Sequence, residues 1–286
     1  MTTDCRVKVI GAGLAGCEAA LQLAKNGVAV DLYEMRPNKT TGAHSTQNPA
    51  EFVCSNSLGS IDPTNASGLL KQEMSILGSF LIQVAHEVKV PAGNALAIDR
   101  ELFSQKVEQL LQEHNINIIR EEVKTIPQEG PVILASGPLT SADLAEDIKS
   151  FTGSEHLHFF DAIAPIVEKD SINFDKAFYA SRYDKGEASY INCPMNKEEY
   201  ENFYRILTTA PKIELKEFEK DAKFFESCLP IEVLASRGVD TLRFGPMKPV
   251  GLVDKRTGVE NYAVVQLRHC LLYTSPSPRD MRRSRM

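Results

Sequence analysis

Apolar residues fall in short separated runs whose spacing changes along the chain. Val7-Lys8-Val9-Ile10 is a β-branched run that enters a turn. Leu14 to Ala24 places Ala and Leu at helical spacing, and Val28-Ala29-Val30-Asp31-Leu32-Tyr33 is a second apolar run ending on Glu34. Strand, helix and strand in that order make one βαβ unit. A helix is expected to open at Gly68-Leu69-Leu70-Lys71 and run to about Val88, capped by Thr64 or Asn65. Asp99 is a credible N-cap for a helix over residues 100–114, with Phe103, Val107, Leu110 and Leu111 on one face. A strand follows at 116–120. Gly130-Pro131-Val132-Ile133-Leu134-Ala135-Ser136-Gly137-Pro138 reads as a buried strand ending in a turn of small residues. Between Phe151 and Asp254 the rhythm lapses, with strands expected at 162–167, 177–180 and 188–191 and a helix at 197–207. The pattern predicts an α/β fold: a Rossmann-like domain over 1–150, an inserted smaller α+β substrate domain over 151–240, and a return toward the first domain over 241–268.

The turn of the first βαβ unit is Gly11-Ala12-Gly13-Leu14-Ala15-Gly16, the dinucleotide fingerprint in its full strand–turn–helix context. Gly11 makes the tight turn, Gly13 lets backbone approach a pyrophosphate, and Gly16 lets helix and strand pack closely. The helix N-terminus presents unpaired N–H groups and a positive dipole end to the phosphates. Glu34 stands where an acid can hold ribose hydroxyls. The plain alternative is a glycine turn in an ordinary βαβ crossover. The fingerprint does not by itself separate FAD from NAD; its place near the N-terminus and the acid after the second strand lean toward FAD. The Ala135-Ser136-Gly137 turn matches the Ala-Thr-Gly turn beside the cofactor in two-dinucleotide flavoproteins, with Ser136 in the middle, or is simply a βα turn of small residues. Met35 to Ser45 is a long polar loop leaving the carboxyl end of a strand, where α/β folds place ligands.

Composition narrows the classes. At 286 residues, with 43% hydrophobic and 24% charged residues, the chain has the make-up of a soluble globular protein. A net charge of −6 argues against wholesale nucleic-acid binding and leaves room for a local basic patch. No apolar run nears the ~20 residues of a membrane helix. The N-terminal six residues do not read as a signal peptide. Six cysteines, at 5, 17, 54, 193, 228 and 270, are scattered singly with no CxxC pair, so no metal site is expected and free thiols in the cytoplasm are. Cys54 lies among Ser and Asn. Cys228 precedes Leu229-Pro230, in an extended turn near a helix start, where a helix N-terminus and cations such as Arg237 or Lys248 would favour thiolate. For either thiol, a buried inert cysteine is the competing reading. Arg182-Tyr183-Asp184-Lys185-Gly186-Glu187 reads first as a solvated turn and second as a phosphate or nicotinamide contact.

Taken together, these blocks resemble the folate- and FAD-dependent tRNA (uracil-5-)-methyltransferases. The matching stretches are residues 10–16, Val53-Cys54-Ser55-Asn56-Ser57-Leu58, 68–74, 91–100, 181–188, Ile191-Asn192-Cys193-Pro194-Met195, 228–238 and 244–251. The resemblance implies FAD on Gly11, Ala12, Gly13, Leu14, Ala15, Gly16, Glu34, Ser136 and Gly137. It implies methylenetetrahydrofolate as carbon donor, NAD(P)H as reductant, and C5 of a T-loop uridine in tRNA as acceptor. It implies Cys228 as the thiol that adds to uracil C6 and Cys54 as a second, assisting thiol, and no stable protein partner. Nearby classes are the flavoprotein of wobble-uridine modification, a general NAD(P)H:flavin oxidoreductase, and a flavin- and tRNA-binding protein without catalysis. After Arg268 the chain departs from the family pattern. Residues 269–286 carry four arginines in the last eight positions, a basic tail for RNA or a non-native stretch; the latter is expected, with the family's C-terminal third then missing.

Overall fold

The computed structural model describes residues 6–41, 43–53, 55–153, 167–184, 188–211 and 230–269. It divides into two compact units, residues 1–89 with 96–161 and residues 90–95 with 162–286. The strands are β1 (Val7–Ile10), β2 (Val30–Tyr33), β3 (Ser57–Ser60), β4 (Lys89–Val90), β5 (Ala95–Ile98), β6 (Asn117–Ile119), β7 (Val132–Leu134), β8 (Phe178–Ala180), β9 (Tyr190–Met195) and β10 (Ala263–Leu267). The helices are α1 (Leu14–Lys25), α2 (Ala66–Ile76), α3 (Phe80–Glu87), α4 (Arg100–Glu113), α5 (Ala142–Thr152), α6 (Lys197–Thr209), α7 (Ile231–Ser236) and α8 (Thr241–Phe244).

The first unit is built on a parallel sheet in the order β6-β2-β1-β7. Its register pairs Val7 with Val30 and Ile10 with Tyr33, and Lys8 with Val132 on the other side. Val9, Leu32, Ala20 and Leu21 are buried with Phe103, Val107 and Leu111 of α4, the face expected from spacing. Asp99 accepts the N–H groups of Glu101 and Leu102, both at 3.0 Å, and so starts α4 where expected. A second sheet has the order β3-β5-β4.

Two expectations change here. The helix anticipated over 68–88 is two. Gly78 takes φ +78 and Ser79 caps α3. The Glu18 carboxylate on α1 accepts from the Ser79 hydroxyl (2.9 Å) and from the N–H groups of Phe80 and Leu81 (3.1 and 2.9 Å). An acid held at a helix N-terminus is stabilising, and it fixes the break. Asn65, one of the two expected caps, accepts from Gly68 N–H at 2.9 Å. Strand β7 is not buried: it is the edge of the sheet, and Leu134 is 39% exposed. Residues 241–268 fall in the second unit.

The second unit holds an antiparallel sheet, β10-β9-β8, in which Val265 faces Cys193 and Phe178 faces Asn192. The capping box of Asn196 and Glu199 opens α6, whose Tyr200 is buried with Ala235, Leu242, Met247 and Ala263. The Tyr200 hydroxyl donates to Val239 O (2.6 Å) and that of Tyr204 to Ala235 O (3.1 Å), tying α6 to α7 and the turn after it. Of the strand expected at 162–167, all but Val167 lies outside the described residues. No helix among the described residues is long and apolar enough to cross a membrane.

Helix α1 packs on the turn before it so closely that a Cβ on Gly16 would stand 1.8 Å from Gly11 O. Gly16→Ala is therefore expected to lower stability by about 1–3 kcal/mol, measured by urea unfolding; a change within ~0.5 kcal/mol would contradict this packing.

Candidate functional site

The carboxyl ends of β1, β2 and β7 converge on the glycine turn. Gly11 has φ +104, and a Cβ there would meet Ala135 O at 2.7 Å and Ser136 Cα at 2.8 Å. The turn and the Ala135–Gly137 corner thus abut through backbone, and Ala135 N–H donates to Ile10 O at 2.8 Å. A Cβ on Gly13 would meet nothing within 4 Å. Gly13 is the N-cap of α1, no side chain caps that helix, and its first turn carries no acid. An uncapped helix start with open space before it suits an anionic group. Leu14 and Ala15 form the first turn, with Ala15 exposed.

Behind the turn lies a buried ion-pair network. Glu34 is 6% exposed and Arg36 2%. Oε1 of Glu34 accepts from Arg36 N (3.0 Å) and Arg36 Nε (2.9 Å), and Oε2 from Ala12 N and an Arg36 Nη, both at 3.2 Å. The other end of the guanidinium donates to Glu51 (2.9 Å) and Thr46 O (3.1 Å). Glu51 in turn accepts from the N–H groups of Ser45 and Thr46 and from the Thr46 hydroxyl. Ala50, at φ 51, donates its N–H to Ala12 O at 2.8 Å, and Arg120 donates to the carbonyls of Arg36 and Gln47. The long loop after β2 is therefore fastened to the glycine turn at both ends. Burial alone would raise the Glu34 carboxyl; the Arg36 guanidinium, with the N–H donors of Arg36 and Ala12, outweighs it and holds the group below its ordinary 4.5.

Of the other residues singled out from sequence, Ser136 accepts from the Thr140 hydroxyl (2.8 Å), and Gly137 takes φ +68 facing open space. Cys54 and Cys228 both lie outside the described residues. Pro230, two residues after Cys228, is the N-cap of α7. Cys17 is buried behind the turn, its thiol pushed up to about 12 mainly by desolvation. Arg182 lies in a turn whose Tyr183 and Asp184 are exposed, as the first reading of this cluster had it. Its guanidinium donates to the carbonyls of Val250 and Lys248 and to Gln266 Oε1, and so staples two stretches of the second unit together. Sequence reasoning missed Arg36 and Glu51. The available signal was an arginine two positions after an acid at a strand end, where a buried carboxylate needs a counter-charge.

A family model described as glucose inhibited division protein A, GIDA, matches residues 6–270. The chain belongs to the GIDA family. Within it, the chain is 59% identical over 264 residues to the methylenetetrahydrofolate–tRNA-(uracil-5-)-methyltransferase TrmFO of Dictyoglomus thermophilum, covering 92% of this chain and 60% of that one. The TrmFO of Bacillus velezensis is 59% identical over 263 residues and that of Desulfitobacterium hafniense 58%, with the same coverage. The chain thus spans about 60% of the length of these GIDA relatives.

Replacing Arg36 by Met leaves Glu34 and Glu51 buried without their guanidinium and is expected to cost about 3–5 kcal/mol at neutral pH. Because the folded Glu34 carboxyl titrates below its unfolded value, its contribution is present above pH 4.5 and is lost as pH falls through the folded value. The gap between parent and Arg36→Met should therefore narrow on acidification below pH 4.5. A gap that stays constant in denaturant melts from pH 7 to pH 3 would show that the pair is not coupled to folding.

Proposed function

We propose that this chain is part of an enzyme that methylates C5 of the T-loop uridine in tRNA, with methylenetetrahydrofolate as carbon donor, NAD(P)H as reductant, and FAD as cofactor. The observation that carries the reading is near-60% identity over 92% of the chain to methyltransferases of that name. The glycine turn fits a flavin dinucleotide: open space at Gly13, an uncapped α1 and no acid in its first turn favour a diphosphate. Bound FAD would supply the reducing equivalents that turn a methylene into a methyl group.

The chain's own residues do the rest in this reading. Gly11, Ala12, Gly13, Leu14, Ala15 and Gly16 form the turn that holds the diphosphate: the N–H groups at the open start of α1 face it, while those of Gly11 and Ala12, given to Tyr33 O and Glu34, fix the turn. Glu34 meets a ribose hydroxyl by sharing or yielding one of its two 3.2 Å contacts. Ser136 and Gly137 border the cofactor from the neighbouring corner. Uracil C5 is a poor nucleophile until a group adds at C6, and the Cys228 thiolate is assigned that addition. Cys54 assists as second thiol or base. A cytoplasmic enzyme working on tRNA alone, without a stable protein partner, completes the proposal.

The test is purification of the chain, measurement of its visible absorbance, and transfer of labelled one-carbon units to a tRNA transcript. Bound or recruitable FAD and label in 5-methyluridine are expected, with Cys228→Ser losing label transfer while retaining FAD. A chain that takes up no FAD, or a Cys228→Ser protein transferring label at the parent rate, would defeat the corresponding assignment.

A further inference from the structure

The second unit contains a column of rings that ends in solvent. Buried Tyr200 lies 5.5 Å from the Tyr262 ring at 59°. The Arg243 guanidinium stands 4.1 Å from the Tyr262 centroid and 4.9 Å from that of Phe244. Arg243 is held in place by an Nε donation to Tyr262 O at 3.2 Å and by Asp240 at 3.8 Å. Phe244 ends the column with 68% of its surface exposed. An exposed phenyl on a mobile side chain would be unremarkable. This ring lies against a held cation that in turn lies against a half-buried tyrosine, so it is presented rather than merely left outside.

The surroundings choose the occupant. Over residues 237–248, Arg237, Arg243 and Lys248 stand against Asp240 alone, a net +2 in a chain whose net charge is −6. Arg237 and Lys248 are exposed. A fixed aromatic face among cations is the arrangement that stacks an unpaired base while meeting its phosphates, because every base has a π-face. The geometry points to Phe244 as a stacking platform for an unpaired nucleobase of RNA, with Lys248 meeting a flanking phosphate. This inference rests on the proposed tRNA substrate and names one surface that receives it.

The test uses the full chain, an RNA stem-loop carrying 2-aminopurine in its loop, and fluorescence anisotropy across a salt series. Phe244→Ala should weaken binding about tenfold and reduce the change in 2-aminopurine emission. Its thermal melt should match the parent's, and Phe244→Trp should restore both readouts. Lys248→Ala should lower the slope of log Kd against log salt by about 0.7. Parent affinity in Phe244→Ala, or failure of a folded Phe244→Trp to restore stacking, overturns the platform and leaves the tRNA reading standing. A parent chain with no affinity for the stem-loop or for whole tRNA overturns the tRNA reading and the platform with it. If Phe244→Ala instead changes only the sedimentation of the protein, the ring covers a second copy and the inference fails.

Discussion

A guanidinium shut between two carboxylates fastens the loop after β2 to the glycine turn of the first unit. Arg36 takes Glu34 with one edge and Glu51 with the other, 15 residues further along. Such a triad is weak evidence for net stability, since the desolvation of three charges offsets much of their attraction. Its effect is geometric. The planar fork allows few arrangements, so the acid after β2, the loop start and the loop end are set in one position. Glu51 adds the backbone of Ser45 and Thr46, and Ala50 closes on Ala12. The wall of the glycine turn is therefore preformed, which is what the proposed large, flexible dinucleotide would require.

How far the sequence revealed this depends on the range of each interaction. The first βαβ unit was legible because its determinants are local: period, glycine spacing and an acid at a strand end. The cap at Asp99 and the buried face of α4 were legible for the same reason. The break between α2 and α3 was not, because the acid that holds it, Glu18, lies about 60 residues upstream on α1. Nothing in the apolar period around residue 77 reports that carboxylate. The grouping of residues 241–268 was not legible for a related reason. Strand β10 pairs with β9 some 70 residues away, and a five-residue apolar run does not declare its partner.

Charged residues were the hardest to read. The Arg182 cluster is the solvated turn its composition suggests, with Tyr183 and Asp184 exposed, and its guanidinium also donates to carbonyls of the 248–250 stretch and to Gln266. Asn192, fully buried, behaves alike: its amide donates to the carbonyls of Phe178, Ala180 and Tyr190 and its oxygen accepts from Gln266. In the second unit polar side chains substitute for backbone pairing where the strands are short. Composition alone assigns such residues to the surface; only their partners show that they are internal fastenings.

The same logic explains how an acid could stand beside the proposed diphosphate site. A bare carboxylate at the end of β2 would repel a phosphate held at the start of α1 in a poorly screened setting. Glu34 is not bare. Four donor contacts engage both oxygens, and three come from Arg36. The charge is largely answered from behind, while the Ala12 N–H that it accepts is drawn into the turn. A carboxylate so engaged is a poor proton acceptor and a good anchor, suited to orienting hydroxyl groups through its longer contacts and unsuited to acid–base chemistry. In the proposed reaction Glu34 therefore carries only position, while the thiol steps stay with Cys228 and Cys54, where the family resemblance puts them.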